Sequence, residues 1–342
     1  MFQKLKVLPL IFTLLFVACP SDDLPGELQD AITLIEGVDR QTIDVSRFGI
    51  NAFANQAEFG SICEQYADVA GTLGLRHVRV LLRWDDNLQP APGASFNFSF
   101  FNEILNCLPN GVDALVIVEG APSWFGEDVF IDGNPRQTVA ELFLRRIFNR
   151  FGDNGKISAF QVWNEPNNAE FPDNARIGVL DSPANYVELL AFAYSLKQEL
   201  GMNKPILNGA TTGIAQNFPA TLDYTQAMRD NGIEDFIDIW GVHYYGTNFE
   251  NLLRSGGVAD FLNSLGKPIW ITETGRQGHS EQLGYVEQVL PFLRENVSAI
   301  DRIYYFQYAS AVGSEEQAFG LRSLDASSPT SDLYEHLRER AS

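Results

Sequence analysis

Eight short runs dominated by Val, Ile, Leu, Phe or Tyr recur along the chain from residue 48 onwards. They are FGINAF (48–53), HVRVLLR (77–83), DALVIVE (113–119), ISAFQVWN (157–164), PILNGAT (205–211), FIDIWGVHYY (236–245), PIWITETG (268–275) and RIYYFQYA (302–309). Apolar runs of this length are what parallel strands covered on both faces require. Longer amphipathic stretches separate them. SICEQYADVAGTLG (61–74) places apolar residues at 62, 66, 69, 70 and 73, and SPANYVELLAFAYSLKQELG (182–201) opens on Ser182-Pro183 and closes on Gly201. A serine cap, a first-turn proline and a terminal glycine are helix boundary signals. EQLGYVEQVLPFLREN (281–296) and DLYEHLRER (332–340) are further helices, and Pro291 inside the former predicts a kink or a break. Eight strands alternating with eight helices over roughly 290 residues predict an α/β fold, the (β/α)8 or TIM barrel. An open doubly wound sheet is the alternative. The count of eight, and the lack of a GxGxxG turn after the first strand, argue against it.

The first 45 residues stand outside this rhythm. Lys4 and Lys6 precede the apolar VLPLIFTLLFVA, which is too short to span a bilayer comfortably and ends at Cys19. Residues 1–18 are therefore expected to be a signal peptide and 19–45, which include SDDLPGE, a polar tether; the barrel occupies 46–342. A small residue before a cysteine at the end of such a run resembles a bacterial lipoprotein lipobox. Phe16 departs from that pattern, and ordinary cleavage near Ala18 is the alternative. The expectation is an exported protein. It is held at the cell surface or outer membrane by a lipid on Cys19, or else secreted or periplasmic.

The formal charge is −20, and −22 once Lys4 and Lys6 are removed with the leader. Such a surface repels nucleic acid and anionic lipid, and suits a neutral or cationic ligand. It serves solubility equally well. Hydrophobic residues make up 45% of the chain and aromatic residues 12%, ample for one large core, and a monomer is expected. In an oxidising compartment Cys63 and Cys107, on neighbouring predicted helices, would form either a disulfide or two buried free thiols. No CxxC, HExxH or His-rich run points to a metal, and no cofactor is expected.

In a barrel of this type function gathers at the C-terminal ends of the strands. There the sequence places Arg79 and Trp84 (strand 2), Glu119 with Trp124 beyond it (strand 3), Asn164-Glu165 (strand 4), His243 and Tyr245 (strand 6), Glu273 (strand 7), and Tyr305-Phe306-Gln307 (strand 8). Two glutamates ending strands 4 and 7 can face each other across a barrel mouth. Cleavage of a glycosidic bond needs such a pair, one carboxyl to protonate the leaving oxygen and one to attack the anomeric carbon or activate water.

The motifs WNEP after strand 4, HYY on strand 6 and TETG on strand 7, together with VRVLLRW on strand 2, resemble the retaining clan-A glycoside hydrolases, including their cellulase-like and β-xylosidase-like families. The likeness runs from about Phe48 to the last helix. It implies Glu165 as acid/base, Glu273 as nucleophile, Asn164 on the sugar 2-hydroxyl, Arg79 and Tyr245 holding the nucleophile, and His243 lining the same wall. Many clan members carry a tryptophan on strand 8 at the sugar floor, where this chain offers Tyr305 or Phe306. Trp84 and Trp124 are expected to flank the cleft and stack on sugar, since an aromatic face complements the C–H face of a pyranose.

The expected reaction is double displacement on an extracellular oligo- or polysaccharide. Burial and the Glu273 charge are expected to raise the pKa of Glu165 so that it holds its proton. A transglycosylase using the same pair, or a non-catalytic carbohydrate-binding surface lipoprotein, are the competing readings. The sugar, the linkage and the choice between exo and endo action are not written in these motifs.

Overall fold

The computed structural model describes residues 39–54, 60–245, 249–310, 318–323 and 329–341. The expected signal peptide, Cys19 and the tether up to residue 38 lie outside the described residues. Residues 39–45, read from the sequence as the end of that tether, belong to the packed domain. The Gln41 amide donates to the Glu287 carbonyl, Arg340 donates to the Ile43 carbonyl, and the Ile43 side chain is buried.

Eight parallel strands form the barrel wall: β1 (Phe48–Asn51), β2 (His77–Arg83), β3 (Asp113–Glu119), β4 (Ile157–Val162), β5 (Ile206–Asn208), β6 (Trp240–His243), β7 (Ile269–Thr274) and β8 (Ile300–Tyr305). Their order is β5-β4-β3-β2-β1-β8-β7-β6. The barrel closes between β5 and β6 through the single bridge Leu207–Ile239. The Asn208 amide reinforces it, donating to the Gly241 carbonyl at 3.0 Å and accepting from the Gly241 N–H at 2.8 Å.

A helix covers each strand, and the short helices Pro172–Arg176 and Phe249–Leu253 add to those after β4 and β6. The covering helices are α1 (Ile62–Ala67, continued by a π turn over Asp68–Thr72), α2 (Ser99–Cys107), α3 (Pro135–Val139 and Arg145–Phe151, joined by π-helical Ala140–Leu144), α4 (Pro183–Glu199), α5 (Ala220–Asp230), α6 (Val258–Asn263), α7 (Gln282–Asn296) and α8 (Asp332–Ala341). Ser61 caps α1 in a reciprocal box with Glu64, and Ser182 caps α4 ahead of Pro183. Pro291 does not break α7, which runs on to Asn296; the buried face of Tyr285, Val286, Val289, Leu290, Phe292 and Leu293 holds the turn that lacks one N–H donor. Cys63 on α1 and Cys107 at the end of α2 form a disulfide.

The alternation of the strands divides the core. Outward residues such as Val78, Val80, Phe160 and Ile303 pack under the helices. Inside the barrel, Leu115, Ala159, Leu207, Ile239, Trp270 and Tyr304 form a separate apolar layer. Above it, toward the C-terminal mouth, the buried residues turn polar: Asn51, Arg79, Gln161, Asn208 and Thr272. A polar layer inside a barrel must satisfy itself, and this requirement shapes the site above it.

Candidate active site

Two backbone devices aim the glutamates into the mouth. The first is a bulge in β7. Ile271 to Thr274 on β7 faces Ile303 to Tyr305 on β8, and Ile271 to Glu273 faces Val242 to His243 on β6. On both sides β7 carries one extra residue. Trp270 points into the barrel and Ile271 into the outer core, so strict alternation would turn Glu273 outward. The extra residue reverses its face. The second device lies beyond β4, where Trp163 (φ 70°) and Glu165 (φ 41°) both take left-handed backbone around Asn164. That conformation costs a side-chain-bearing residue roughly 1–2 kcal/mol. Neighbouring strand ends hold it: Trp163 N–H donates to Val118 O and Glu165 N–H to Ala210 O. Gly209 is required beneath this turn, because a Cβ there would lie 2.7 Å from the Trp163 carbonyl carbon and oxygen. Gly275 of the TETG motif likewise makes room for the Phe306 carbonyl, which would lie 2.5 Å from a Cβ.

Arg79 organises the floor. Its side chain is fully buried, and it donates through Nη1 to Glu273 Oε1 (2.6 Å) and Asn51 Oδ1 (2.7 Å), through Nε to Gln161 Oε1 (3.0 Å) and through Nη2 to Asn164 Oδ1 (2.8 Å). A guanidinium taken out of water costs several kcal/mol unless its donors are met. Here they meet one carboxylate and three amide oxygens. Gln161 also donates to Asn164 Oδ1 at 3.1 Å, so the Asn164 oxygen is used and its Nδ2 is left to face a ligand. The Tyr245 hydroxyl donates to Glu273 Oε2 at 2.8 Å. Burial, with the Glu273 charge beside it, pushes the Tyr245 hydroxyl well above its ordinary range, so it stays a donor.

Glu165 sits opposite, with its Oε2 accepting from Asn168 Nδ2 (2.8 Å) and its Oε1 3.0 Å from His243 Nδ1. The fully buried His243 also places Nε2 3.5 Å from Glu273 Oε1, too far to bond it, so the imidazole lies between the two carboxyls and bonds Glu165. The facing atoms of Glu165, His243 and Glu273 all lie within 4.8 Å of one another. They form the one such group among the described residues. A cation there would compete with the Arg79 guanidinium for Glu273 Oε1, so these residues fit a proton-sharing network better than a metal.

The charge on Glu165 departs from expectation. Burial pushes its carboxyl up, but the hydrogen bond and charge of His243, the Asn168 amide and the Arg79 charge together hold it below its ordinary value. The sequence reading counted burial and the Glu273 charge and missed the donors.

The tryptophans divide. Trp124 is half-buried with its ring 5.6 Å from that of Trp84, its Nε1 donating to the Gln89 carbonyl at 2.8 Å. Trp84 does not flank the cleft. It is fully buried, stacked on Phe143 at 5.3 Å, and its Nε1 donates to Gln89 Oε1. The chain turns after Arg83 and drives Trp84 beneath the 85–97 loop. On β8, Tyr305 is buried with its hydroxyl donating to the Arg276 carbonyl, whereas half-buried Phe306 lies 6.2 Å from the Tyr245 ring and faces the site. Asp85 accepts from the Asn87 and Leu88 amides as a turn residue. Glu119 at the end of β3 is pushed up to about 7 by burial, despite its ion pair with Arg83.

Asn51, Gln161 and Asn168 escaped the sequence reading. Gln161 had a signal, a lone amide inside the apolar AFQV run, and Asn51 ends an otherwise apolar strand. Asn168 had none beyond its distance from Glu165.

Residues 115–332 match the family described as glycosyl hydrolase catalytic core. Among curated proteins, none matches the chain. Solved structures do. A family 39 glycoside hydrolase from the gut symbiont Bacteroides cellulosilyticus WH2 superposes with a TM-score of 0.59 at 14% identity, over 88% of this chain and 65% of that one. The chain thus spans just under two thirds of that protein's length. The catalytic domain of GH30 xylanase C from Talaromyces cellulolyticus gives 0.59 at 13% identity, over 89% and 76%. A GH39 β-xylosidase from Caulobacter crescentus gives 0.57 at 14%, over 89% and 72%. Similarity at this level is similarity of fold.

Proposed function

The chain belongs to the glycosyl hydrolase catalytic core family, and from that premise we propose that it is a retaining O-glycosidase acting on an oligo- or polysaccharide, with Glu273 as nucleophile and Glu165 as acid/base. The observation that carries this reading is the shared cluster of Glu165, His243 and Glu273, whose facing atoms lie within 4.8 Å. Oxygens that close suit the spacing of a retaining pair, about 5–5.5 Å between carboxyls, better than the roughly 6.5–9.5 Å with which an inverting pair admits a water.

In the first step Glu273 attacks the anomeric carbon as the bond to the leaving oxygen breaks, and Glu165 delivers a proton to that oxygen. Arg79 and Tyr245 hold the two Glu273 oxygens, fixing the attacking lone pair. The proton is stored on the Glu165–His243 pair, whose Oε1 and Nδ1 are 3.0 Å apart. This reconciles the low value of Glu165 with its role. A glycosidic oxygen entering above Glu165 displaces water and takes the shared proton through the Glu165 carboxyl. Esterification then removes the Glu273 charge. In the second step Glu165 takes a proton from water, which opens the ester with retained configuration. Asn164 Nδ2, aimed by the two bonds on its Oδ1, donates to the sugar 2-hydroxyl, a contact that tightens in the oxocarbenium-like transition state.

The test follows the first-formed anomer by NMR on a panel beginning with β-xylosides, suggested by the xylanase and β-xylosidase of like fold. An inverted first product refutes the retaining assignment. The proposal extends to the chain start, on the short apolar leader ending in Val17-Ala18-Cys19. The mature protein is exported with a lipidated Cys19, and mass spectrometry of its native N-terminus checks this. An unmodified chain starting elsewhere refutes it.

A further inference from the structure

Arg83 ends β2 at the barrel mouth, four residues beyond Arg79. Two acids hold its guanidinium: Nη1 donates to Glu119 Oε1 at 3.2 Å and Nη2 to Asp173 Oδ2 at 2.8 Å. The side chain remains 42% exposed, and two cavities meet on it. The smaller is lined by Arg83, Glu119, Asn164 and Phe171, beside the asparagine assigned to the sugar. The larger, about 410 Å³, is lined by Phe53, Arg83, Asp85, Leu88, Asn97 and Phe100 among others. That volume falls in the range of small-molecule sites, roughly 300–1,000 Å³.

Two observations join the larger cavity to the catalytic mouth. Phe100 and Phe171, 44% and 41% exposed, are the exposed large apolar side chains among the described residues, and each lines one of these two cavities. Single exposed apolar residues are ordinary, but two placed on either side of Arg83 mark a surface kept for contact. On the other flank an aromatic wall runs from Tyr245, which holds Glu273, to Phe306 (6.2 Å) and on to Phe53 (6.2 Å) in the larger cavity.

We propose that the larger cavity is a distal sugar subsite of the cleft. It binds a neutral pyranose unit of a β-linked chain stacked on Phe100, and Arg83 stands between it and the catalytic mouth. The mixture of an aromatic wall and polar rim groups is what a pyranose needs, with its C–H face and its hydroxyl edge. The unit is neutral because Glu119 and Asp173 already satisfy the Arg83 charge, and the protein's net charge of −20 repels polyanionic chains. The substrate is therefore a chain long enough to reach past Arg83 rather than a disaccharide held at the catalytic pair. This inference rests on the glycosidase reading.

The test uses cello- and xylo-oligosaccharides from dimer to hexamer. In the wild-type protein kcat/KM should rise with length, and Phe100→Ala should cut the hexamer-to-dimer ratio by about tenfold, with Phe100→Trp restoring it. A ratio that is flat in the wild-type protein, or unchanged in Phe100→Ala, overturns the subsite. Calorimetric titration with each hexamer separates the two readings. A protein that turns over no oligosaccharide, yet binds hexamer about tenfold more weakly as Phe100→Ala, keeps the subsite and sinks the glycosidase. Failure of both series to bind overturns the subsite outright.

Discussion

Replacing Glu119 with glutamine should make the protein more stable, and only above the acid range. Glu119 ends β3 with Arg83 and Arg79 as its positive neighbours and Asp173 and Glu273 as its negative ones. Burial dominates, lifting the carboxyl from an ordinary value of 4.5 to about 7. A carboxyl whose folded-state value lies above its unfolded value favours the folded state while it is protonated. That stabilisation is complete below the unfolded value and is lost as pH rises through the folded one. The gap is about 2.5 pH units, and at about 1.4 kcal/mol per unit it amounts to about 3.5 kcal/mol, of which about 3 is lost above pH 4.5. The side chain is only 16% exposed, so solvent removes little of this. Glu119→Gln deletes the titration and keeps an acceptor for Arg83. The variant's unfolding free energy minus that of the wild type should therefore climb by about 3 kcal/mol between about pH 4.5 and pH 8. Denaturant titration across that range measures it. Contributions common to both proteins cancel in the difference, including the opposite slope that the lowered Glu165 carboxyl gives at acid pH. A difference that stays flat, or that falls with pH, would refute the reasoning.

Glu165→Ala should retain the first step for a dinitrophenyl glycoside, whose leaving group needs no proton, and stall at the ester; added azide should restore turnover with retained configuration, and the absence of rescue counts against Glu165 as acid/base. Glu273→Ala should abolish turnover on every substrate, because the covalent intermediate cannot form. Substituting Ser at Cys63 and Cys107 releases a loop of 44 residues; chain entropy assigns this about 4 kcal/mol, and a change below about 1 kcal/mol in denaturant titration would show that the bridge is not closed.

The barrel was legible because parallel strands buried on both faces must be apolar throughout, and the eight runs match the eight strands to within a few residues. What the sequence hid is local. Alternation points Glu273 the wrong way, and only the extra residue in β7 turns it. Nothing in WNEP announces left-handed backbone at Trp163 and Glu165, since neither residue favours it. Trp84 reads as a rim aromatic because it follows a strand end, but its position was decided by the 85–97 loop folding over it. The low value of Glu165 depends on His243, 78 residues away in sequence, and on an amide at Asn168. Such donors are visible only once the chain has folded.

The closure between β5 and β6 carries a mechanical consequence. A barrel is as stiff as its weakest stave joint, and here that joint is one bridge, the Asn208 side chain and the bonds that tie Ile206 to Asp238. On its other side β6 is laddered to β7. His243, Tyr245 and Glu273 therefore lie on the β6–β7 side of the seam and Asn164 and Glu165 on the other, with the His243–Glu165 bond reaching across. Slackening the seam would leave the contact between Tyr245 and Glu273 intact while loading the His243–Glu165 bond that spans it. Tightness at Asn208 is then part of what keeps the two glutamates in register across the mouth.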